Sequence, residues 1–561
     1  MEAQVMRIGL DIGSSSAKAI LVDARGRIRR SARVRFATRR GTGGRVEHDA
    51  AALLRASSRA LAEAAAGIPP GEAATLGIAT QRSTVVFWNR DSGRAVTPAY
   101  SWQDLRAAGL CRRLGGGPAA RDRDLHRLVT ERTGLRMSAH YAAAKLAWAL
   151  RHVPGLRRRV ASGQVLWGTL GTWLAWHLTQ GGLYAVDHAN AQRTLLFHIG
   201  SLSWDPLLFD LFGLGDLLEA PALPALVPTR MESGAPMAAG GRRIVLGAMT
   251  GDQQAALQGM LCRRAGDMAI NFGSGAFVLL QVGPDPVRVP GLLTTLVSSR
   301  HLRPGEPDRP GGCAASFAVE GTVNAASTAL DWVARRLRRR WHVADLDAAL
   351  GPYDPLEQRR VHFLPAVSGV GAPRWDERAR PRFAGLDHGA PPRVLLRAAV
   401  ESIAQRCAEI AAAAEGCLRR GQGARPPRDP AAAARQAVRV SGGLTRCRYL
   451  LQAQSDLLQR PVAVAGSRDA TALGAALQAT DGAVAWPAAA PAPRRETSEV
   501  VLPRARPRQA AALHRAWVRA VYGAAGGAEA ASRKRRRTTS RSRKARNHPA
   551  RGPLGRPRKA R

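Results

Sequence analysis

A single carboxylate, Asp252, stands in the stretch IVLGAMTGDQQAALQGML (residues 244–261), where an apolar run gives way to a helix-like one. An Asp at such a junction suits a helix N-cap, because its oxygens accept the unpaired N–H groups of the first turn. It equally suits a general base that takes a proton from a substrate hydroxyl. Three other segments carry the companions such a base would need. DIGSSSAK (residues 11–18) is a Gly/Ser turn whose backbone N–H groups and hydroxyls suit phosphate oxygens, with Gly13 permitting close approach. Asp11 is placed to hold Mg²⁺ through water, since that cation favours carboxylates and retains its waters, and Lys18 to neutralise phosphate charge. NFGSGAF (271–277) repeats the device with Ser274 between two glycines. RVSGGL (439–444) ends a strand-like run in Gly442 and Gly443, where a base and ribose can approach the backbone. Each segment alone also describes an ordinary turn, and the GxxxxGK[ST] spacing of a P-loop is missing.

The elements around these turns follow from hydrophobic period and punctuation. Residues 6–36 read as three strands, with the Gly/Ser turn between the first two and a second turn at 24–27. Residues 50–66 read as a helix, TLGIAT as a buried strand, and 131–150 as largely helical. DMAINFGSGAFVLLQV again reads strand, Gly/Ser turn, strand. A long amphipathic helix is expected over 393–418, a strand over AVRVSGG, a tightly packed helix over ATALGAALQAT and a terminal helix over 508–522. Two α/β halves thus each open on a strand pair joined by a Gly/Ser turn, which suggests two related domains facing across a cleft.

At 561 residues the chain is too long for one core. No apolar run is long and uninterrupted enough to span a membrane, and the N-terminus lacks a signal-peptide pattern. The six cysteines are scattered without a CxxC pair, which points to a reduced, cytoplasmic protein with neither disulfides nor a zinc site. The histidines show no HExxH spacing. The tryptophans of WLAWHL read as core rather than as a sugar platform. Of the formal net charge of +42, the last 29 residues supply 14 with no acid. That tail can bind nucleic acid through phosphates, but it carries no aromatics to stack on bases, so non-specific association is the most it implies.

Taken in order, the turns at 11–18 and 271–277 and the double glycine at 442–443 resemble the phosphate-1, phosphate-2 and adenosine motifs of the actin–hexokinase–Hsp70 ATPases. GRVEHDA (44–50), IATQRSTVVFW (78–88), WGTLGTWLAWHLTQG (167–181), TGDQQAALQGMLC (250–262), VEGTVN (319–324) and ATALGAAL (470–477) extend the similarity collinearly from about residue 7 to 480. The set is similar to the FGGY carbohydrate kinases, and within them to a divergent part of the glycerol kinase branch. The resemblance implies two actin-like, ribonuclease H-like α/β domains facing across a cleft: 1–258 on the polyol and phosphate-1 side and 259–485 on the phosphate-2 and adenosine side. An Ala/Pro-rich segment with a terminal helix (486–524) and a disordered basic tail (525–561) would follow.

By the same resemblance Asp252 is the base beside the attacking hydroxyl, and Arg82, Trp102, Asp252, Gln253 and Phe277 match the acceptor site. Ser83 stands where the family has a glutamate, and His140 where it has a tyrosine, with Tyr141 next to it. On the nucleotide side Ser14, Ser15, Ser16, Lys18 and Ser274 fall in the phosphate motifs, Gly442, Gly443 and Cys447 in the adenosine motif, and Ser327 and Asp331 near the base. The implied function is a cytoplasmic kinase that uses ATP and Mg²⁺ to phosphorylate a terminal hydroxyl of glycerol or a similar small polyol. No membrane or specific nucleic-acid partner is expected, and homo-oligomers are compatible with it. Ser83 leaves open a different acceptor, such as a pentulose. Ser83 together with the altered adenosine motif also leaves open a nucleotide-binding regulatory protein with weak kinase activity.

Overall fold

The computed structural model describes residues 6–115, 119–239, 241–357, 360–421, 437–467, 469–479 and 497–523. The basic tail expected over 525–561 lies outside them. The first half is built on β1 (Met6–Ile12), β2 (Ser16–Val22), β3 (Ile28–Arg35), α1 (Ala50–Ala65), β4 (Ala73–Thr80), β5 (Arg230–Ala239), β6 (Arg242–Gly251) and α2 (Asp252–Gly259). Its sheet runs β5-β6-β4-β1-β2-β3, with β1, β2 and β3 antiparallel and β4 and β6 parallel to β1. Continuous rather than alternating burial explains this arrangement: Ile8, Gly9 and Leu10 of β1 and Leu76, Gly77 and Ile78 of β4 are all buried, so the central strands are covered on both faces.

The second half comprises β7 (Met268–Phe272), β8 (Ala276–Gly283), β9 (Leu293–His301), β10 (Cys313–Val323), α3 (Ser327–Arg336), α4 (Pro392–Gly421), β11 (Val438–Gly442), α5 (Arg448–Leu458), β12 (Val462–Ala465), α6 (Ala470–Gln478), β13 (Thr497–Val501) and α7 (Pro507–Tyr522). Its sheet order is β9-β10-β8-β7-β11-β12-β13. Here β7, β8 and β10 are antiparallel neighbours, and β11 and β12 continue parallel to β7. The five strands β7, β8, β10, β11 and β12 therefore repeat the order and direction of β1, β2, β3, β4 and β6. Both Gly/Ser turns join the first two strands of their sheets.

The halves meet where α6 crosses α2 and packs on β1 and β4. Small residues permit it: a Cβ on Gly474 would lie 1.7 Å from the Ala255 carbonyl oxygen, and one on Gly259 would lie 1.8 Å from that of Ala470. Gly9 and Gly77 accept the other side of α6 in the same way, with the Ala472 and Ala475 oxygens at 1.8 and 1.9 Å.

One expectation needs correction. The helix read over 131–150 is broken: one helix ends at Thr133, Gly134 takes φ 74°, and a new helix starts at Ala142. Gly134 docks against strand β9 at this chain reversal, where the Thr294 N–H donates to the Gly134 oxygen at 2.8 Å. The intervening loop carries His140 and Tyr141. The terminal helix expected over 508–522 is present as α7 and packs on the second half. β13 pairs with β12, and Trp517 of α7 is buried with its indole N–H donating to Phe363 O at 3.1 Å. The apolar spacing of the terminal helix was legible, whereas the short strand before it had no bounding signal.

Candidate active site

The first Gly/Ser turn is held open by its own backbone and by a second, five-stranded sheet of the first half. Gly13 N–H donates to Ser16 O at 3.1 Å, and Thr38 Oγ1 donates to Ser14 O at 2.7 Å. Trp102, placed just after the strand Ala99–Tyr100, donates its indole N–H to Ser14 Oγ at 3.1 Å. Asp11 and Lys18 face each other across the β1–β2 ladder. Lys18 ion-pairs with Asp469, the residue preceding α6, so the first turn is tied to the second half.

The second turn closes with Gly273 N–H donating to Gly275 O at 2.8 Å. Ser274 O accepts from Ala326 N–H at 2.7 Å and Thr328 Oγ1 at 2.9 Å, which fixes Ser274 and Ser327 together at the start of α3. Asp331 lies one turn further on and is exposed. Beside this turn, β11 delivers Gly442 at φ 100°, where a Cβ would strike Phe272 O at 2.0 Å. Only glycine fits that approach. Cys447 is fully buried at 0% exposure, and burial pushes its thiol up to about 12.

Asp252 sits at the head of α2, between the two turns. It is not the N-cap: Gly251 holds that position without a side-chain bond, and Asp252 is the first helical residue. Its Oδ1 accepts the Gln253 N–H at 2.8 Å and lies 3.4 Å from Arg82 Nε. Burial raises the Asp252 carboxyl above the ordinary carboxylate range, and Arg82 opposes that rise. A carboxylate so placed holds a proton more readily than a surface one, as a general base near neutral pH requires. Gln253 Oε1 accepts from Asn271 Nδ2 at 3.4 Å, and Ser441 Oγ donates to Asn271 Oδ1 at 3.4 Å. This chain runs from the base to the double-glycine strand.

Arg82 joins an ion network that the sequence did not suggest. Its terminal nitrogens donate to both oxygens of Glu320 on β10, each at 3.0 Å. Arg193 NH2 donates to Glu320 Oε2 at 2.6 Å, and Thr295 Oγ1 does so at 2.7 Å. Burial would raise the Glu320 carboxyl, but Arg193 and Arg82 together hold it well below the carboxylate range. Ser83, at φ 66°, donates its hydroxyl to Arg193 O at 3.0 Å and is buried. Burial raises the Tyr141 phenol, and its field is set by Arg193, Glu320 and Arg82, so Tyr141 is the loop residue nearest that network. His140 is exposed and donates its Nδ1–H to Trp102 O at 3.1 Å, with its ring 6.2 Å from the Trp102 ring. Phe277 lies opposite Asn271 in the β7–β8 ladder, partly buried. Lys145, fully buried, donates to the carbonyl oxygens of Ala139, His140 and Tyr141 at 3.4, 2.5 and 3.1 Å and so gathers that loop.

The acids near the first turn fit a divalent cation. Burial, and then the charge of Asp252, push the Asp11 carboxyl up to about 7, a cost that a bound cation relieves. Among the described residues no cluster of three or more His, Cys, Asp or Glu forms a cage. The structure thus links Trp102 to Ser14 of the first turn, Arg82 to Asp252 and Gln253 to Asn271 at the second turn, with Asp252 close enough to Asp11 for its charge to act there. Glu320, Arg193 and Lys145 belong to the same region and were missed. The available signal was a lone charge inside an apolar run, as in FAVEGTV for Glu320.

No helix among the described residues is long and apolar enough to cross a membrane. Profiles of the N- and C-terminal domains of the FGGY family of carbohydrate kinases match residues 6–259 and 268–483. A glycerol kinase from Thermus brockianus is 37% identical over 524 residues, covering 92% of this chain and 98% of that protein. One from Halorhodospira halophila is 33% identical over 525 residues, covering 92% and 95%. The crystal structure of Plasmodium falciparum glycerol kinase with ADP superposes with a TM-score of 0.77 at 23% identity, covering 93% of this chain and 98% of that one. A xylulose kinase from Rhodospirillum rubrum gives 0.71 at 22%, covering 91% and 97%. At those identities the structures speak for the shared two-lobed, actin-like fold.

Proposed function

The chain belongs to the FGGY family of carbohydrate kinases, and from that premise we propose that it transfers the terminal phosphoryl group of ATP to a terminal hydroxyl of glycerol, giving glycerol 3-phosphate and ADP. The observation that carries the mechanism is the position of Asp252, half-buried at a helix head between two Gly/Ser turns that belong to different lobes. A polyol hydroxyl is a poor nucleophile near neutral pH. Asp252 accepts its proton as the new O–P bond forms, while the bond from phosphorus to the bridging oxygen breaks and leaves ADP. Arg82 and Gln253 orient the acceptor from either side of that carboxylate, with Trp102, His140 and Phe277 as walls. Ser14, Ser15, Ser16, Lys18 and Ser274 grip the phosphates. The backbone at Gly442 and Gly443 receives the adenosine, flanked by Ser327 and Asp331. Asp11 would hold Mg²⁺, which supplies charge neutralisation to the phosphates when bound. Both reactants are cytoplasmic metabolites, and we assign the protein to that compartment.

Support for glycerol in particular rests on the Thermus brockianus relative, which this chain matches over nearly its full length. A second reading, a kinase for a pentulose or another sugar, is favoured by Ser83, whose short side chain turns to Arg193 O and presents no second carboxylate beside Asp252. The test is ADP release with purified protein, ATP and Mg²⁺ against glycerol, other polyols and ketopentoses, with the product identified by ³¹P NMR. A higher kcat/KM for a pentulose than for glycerol selects the second reading, and no acceptor-dependent ADP from any of them defeats both.

A further inference from the structure

Arg82 lies between two acids that stand on different lobes. Toward the first lobe its Nε is 3.4 Å from Asp252 Oδ1; toward the second, NH1 and NH2 reach Glu320 Oε2 and Oε1 at 3.0 Å each. Glu320 is 1% exposed and holds Arg193 as well, whereas the Asp252 side chain keeps 27% of its surface open. The buried network therefore balances two guanidinium groups against two carboxylates. Take away the charge of Glu320 and Arg82 is left with Asp252 as its acidic partner. A buried guanidinium without a partner is strongly destabilised, and the two-pronged grip of Arg on a carboxylate is its best alternative. Arg82 would then close on Asp252 and occupy both of its oxygens.

We propose that Glu320 is a positioning residue for the transfer step: reaching across from the second lobe, it holds both terminal nitrogens of Arg82, so that Arg82 borders Asp252 through Nε alone and Asp252 Oδ2 is left for the acceptor hydroxyl. The inference rests on Asp252 acting as the base. Thr295, which donates to Glu320 Oε2 at 2.7 Å, fixes the rotamer of that carboxylate. Glu320 touches neither reactant and acts through Arg82.

The test is a double-mutant cycle on the full chain, with Glu320→Gln, Arg82→Gln and both together, measuring kcat and the KM values for glycerol and ATP, and checking the fold by circular dichroism. Glu320→Gln should lower kcat by about 10- to 100-fold, within the roughly 10²–10⁴-fold that a general base supplies, with the KM for ATP changed less than about twofold. In the Arg82→Gln background the same substitution should cost less than about threefold, because no guanidinium remains to capture Asp252. Equal losses in both backgrounds would overturn the proposal. If Glu320→Gln does not fold, Glu320→Asp replaces it in the cycle: the charge is kept, the reach to both nitrogens is lost, and the same dependence on Arg82 must appear. Asp252→Asn separates the two levels. Should that variant turn over normally, the base assignment falls and this proposal with it; should it be inactive while the cycle is additive, only the role of Glu320 falls.

Discussion

Gly474→Ala inserts one methyl group at the crossing of α2 and α6, where the structure leaves no volume for it. The added carbon would stand 1.7 Å from Ala255 O, 2.6 Å from Ala255 C and 2.7 Å from Gly259 N. Ordinary carbon–oxygen contact needs roughly 3.3 Å, so the helices must part by about 1.5 Å. All three obstructing atoms are backbone, which no rotamer change can relieve. Over-packing of this kind costs about 1–3 kcal/mol, and the absence of a flexible neighbour argues for the upper end. The displaced helix begins with Asp252, and α6 is preceded by Asp469, the partner of Lys18. A misplacement of about 1 Å at a reacting group is enough for a loss on the order of 10²-fold. We expect kcat/KM for glycerol to fall between about 10- and 100-fold and the thermal midpoint to drop by about 5 °C, read by coupled ADP assay and circular dichroism. Gly416→Ala is the control. It lies in α4 with nothing within 4 Å of the added carbon, so it should leave turnover intact and stabilise by about 0.5–1 kcal/mol through helix propensity. A Gly474→Ala protein that melts and turns over like the parent would refute the close crossing, and with it the idea that helix contact sets the position of the base.

Asp252→Asn should lower kcat by about 10²–10⁴-fold while retaining glycerol binding measured by calorimetry; a smaller loss would remove the base from the mechanism. Because burial raises the Asp252 carboxyl above its ordinary 3.8, the proton stays on to higher pH and the base is lost as pH falls through that raised value. The acidic limb of kcat/KM should accordingly lie above pH 3.8 and disappear in Asp252→Asn, which a pH–rate profile reads directly. Gly442→Ala should weaken ATP binding in equilibrium titration, since the added methyl would lie 2.0 Å from Phe272 O and the strand end must move away from it. Lys145→Met frees three carbonyl oxygens of the 139–141 loop and should raise the glycerol KM about tenfold with the KM for ATP unchanged, which steady-state kinetics separates.

What the sequence determined by itself was local. A Gly/Ser turn between two apolar alternations writes a strand pair wherever it occurs, because the backbone needs small residues at the reversal and side chains on alternate faces. The two turns, the double glycine and the placement of Asp252 at a strand-to-helix junction were therefore legible from spacing alone, and their collinear order gave the family resemblance. Tertiary structure decided what surrounds them. Arg82, Arg193 and Glu320 are separated by up to 238 residues and meet only because β10 brings an acid to the lobe boundary opposite two arginines of the first lobe. Nothing in one-dimensional spacing reports such a meeting. The break at 134–141 is similar: Gly134 takes φ 74° where an added Cβ would lie 2.6 Å from Thr294 O of the other lobe, a neighbour absent from its own surroundings in sequence. Cys447 shows the converse: a position that the resemblance placed in the adenosine motif is buried completely by packing, which its spacing did not report. Ion pairs, burial and chain reversals against distant strands depend on three-dimensional distance, and distance is what the fold supplies.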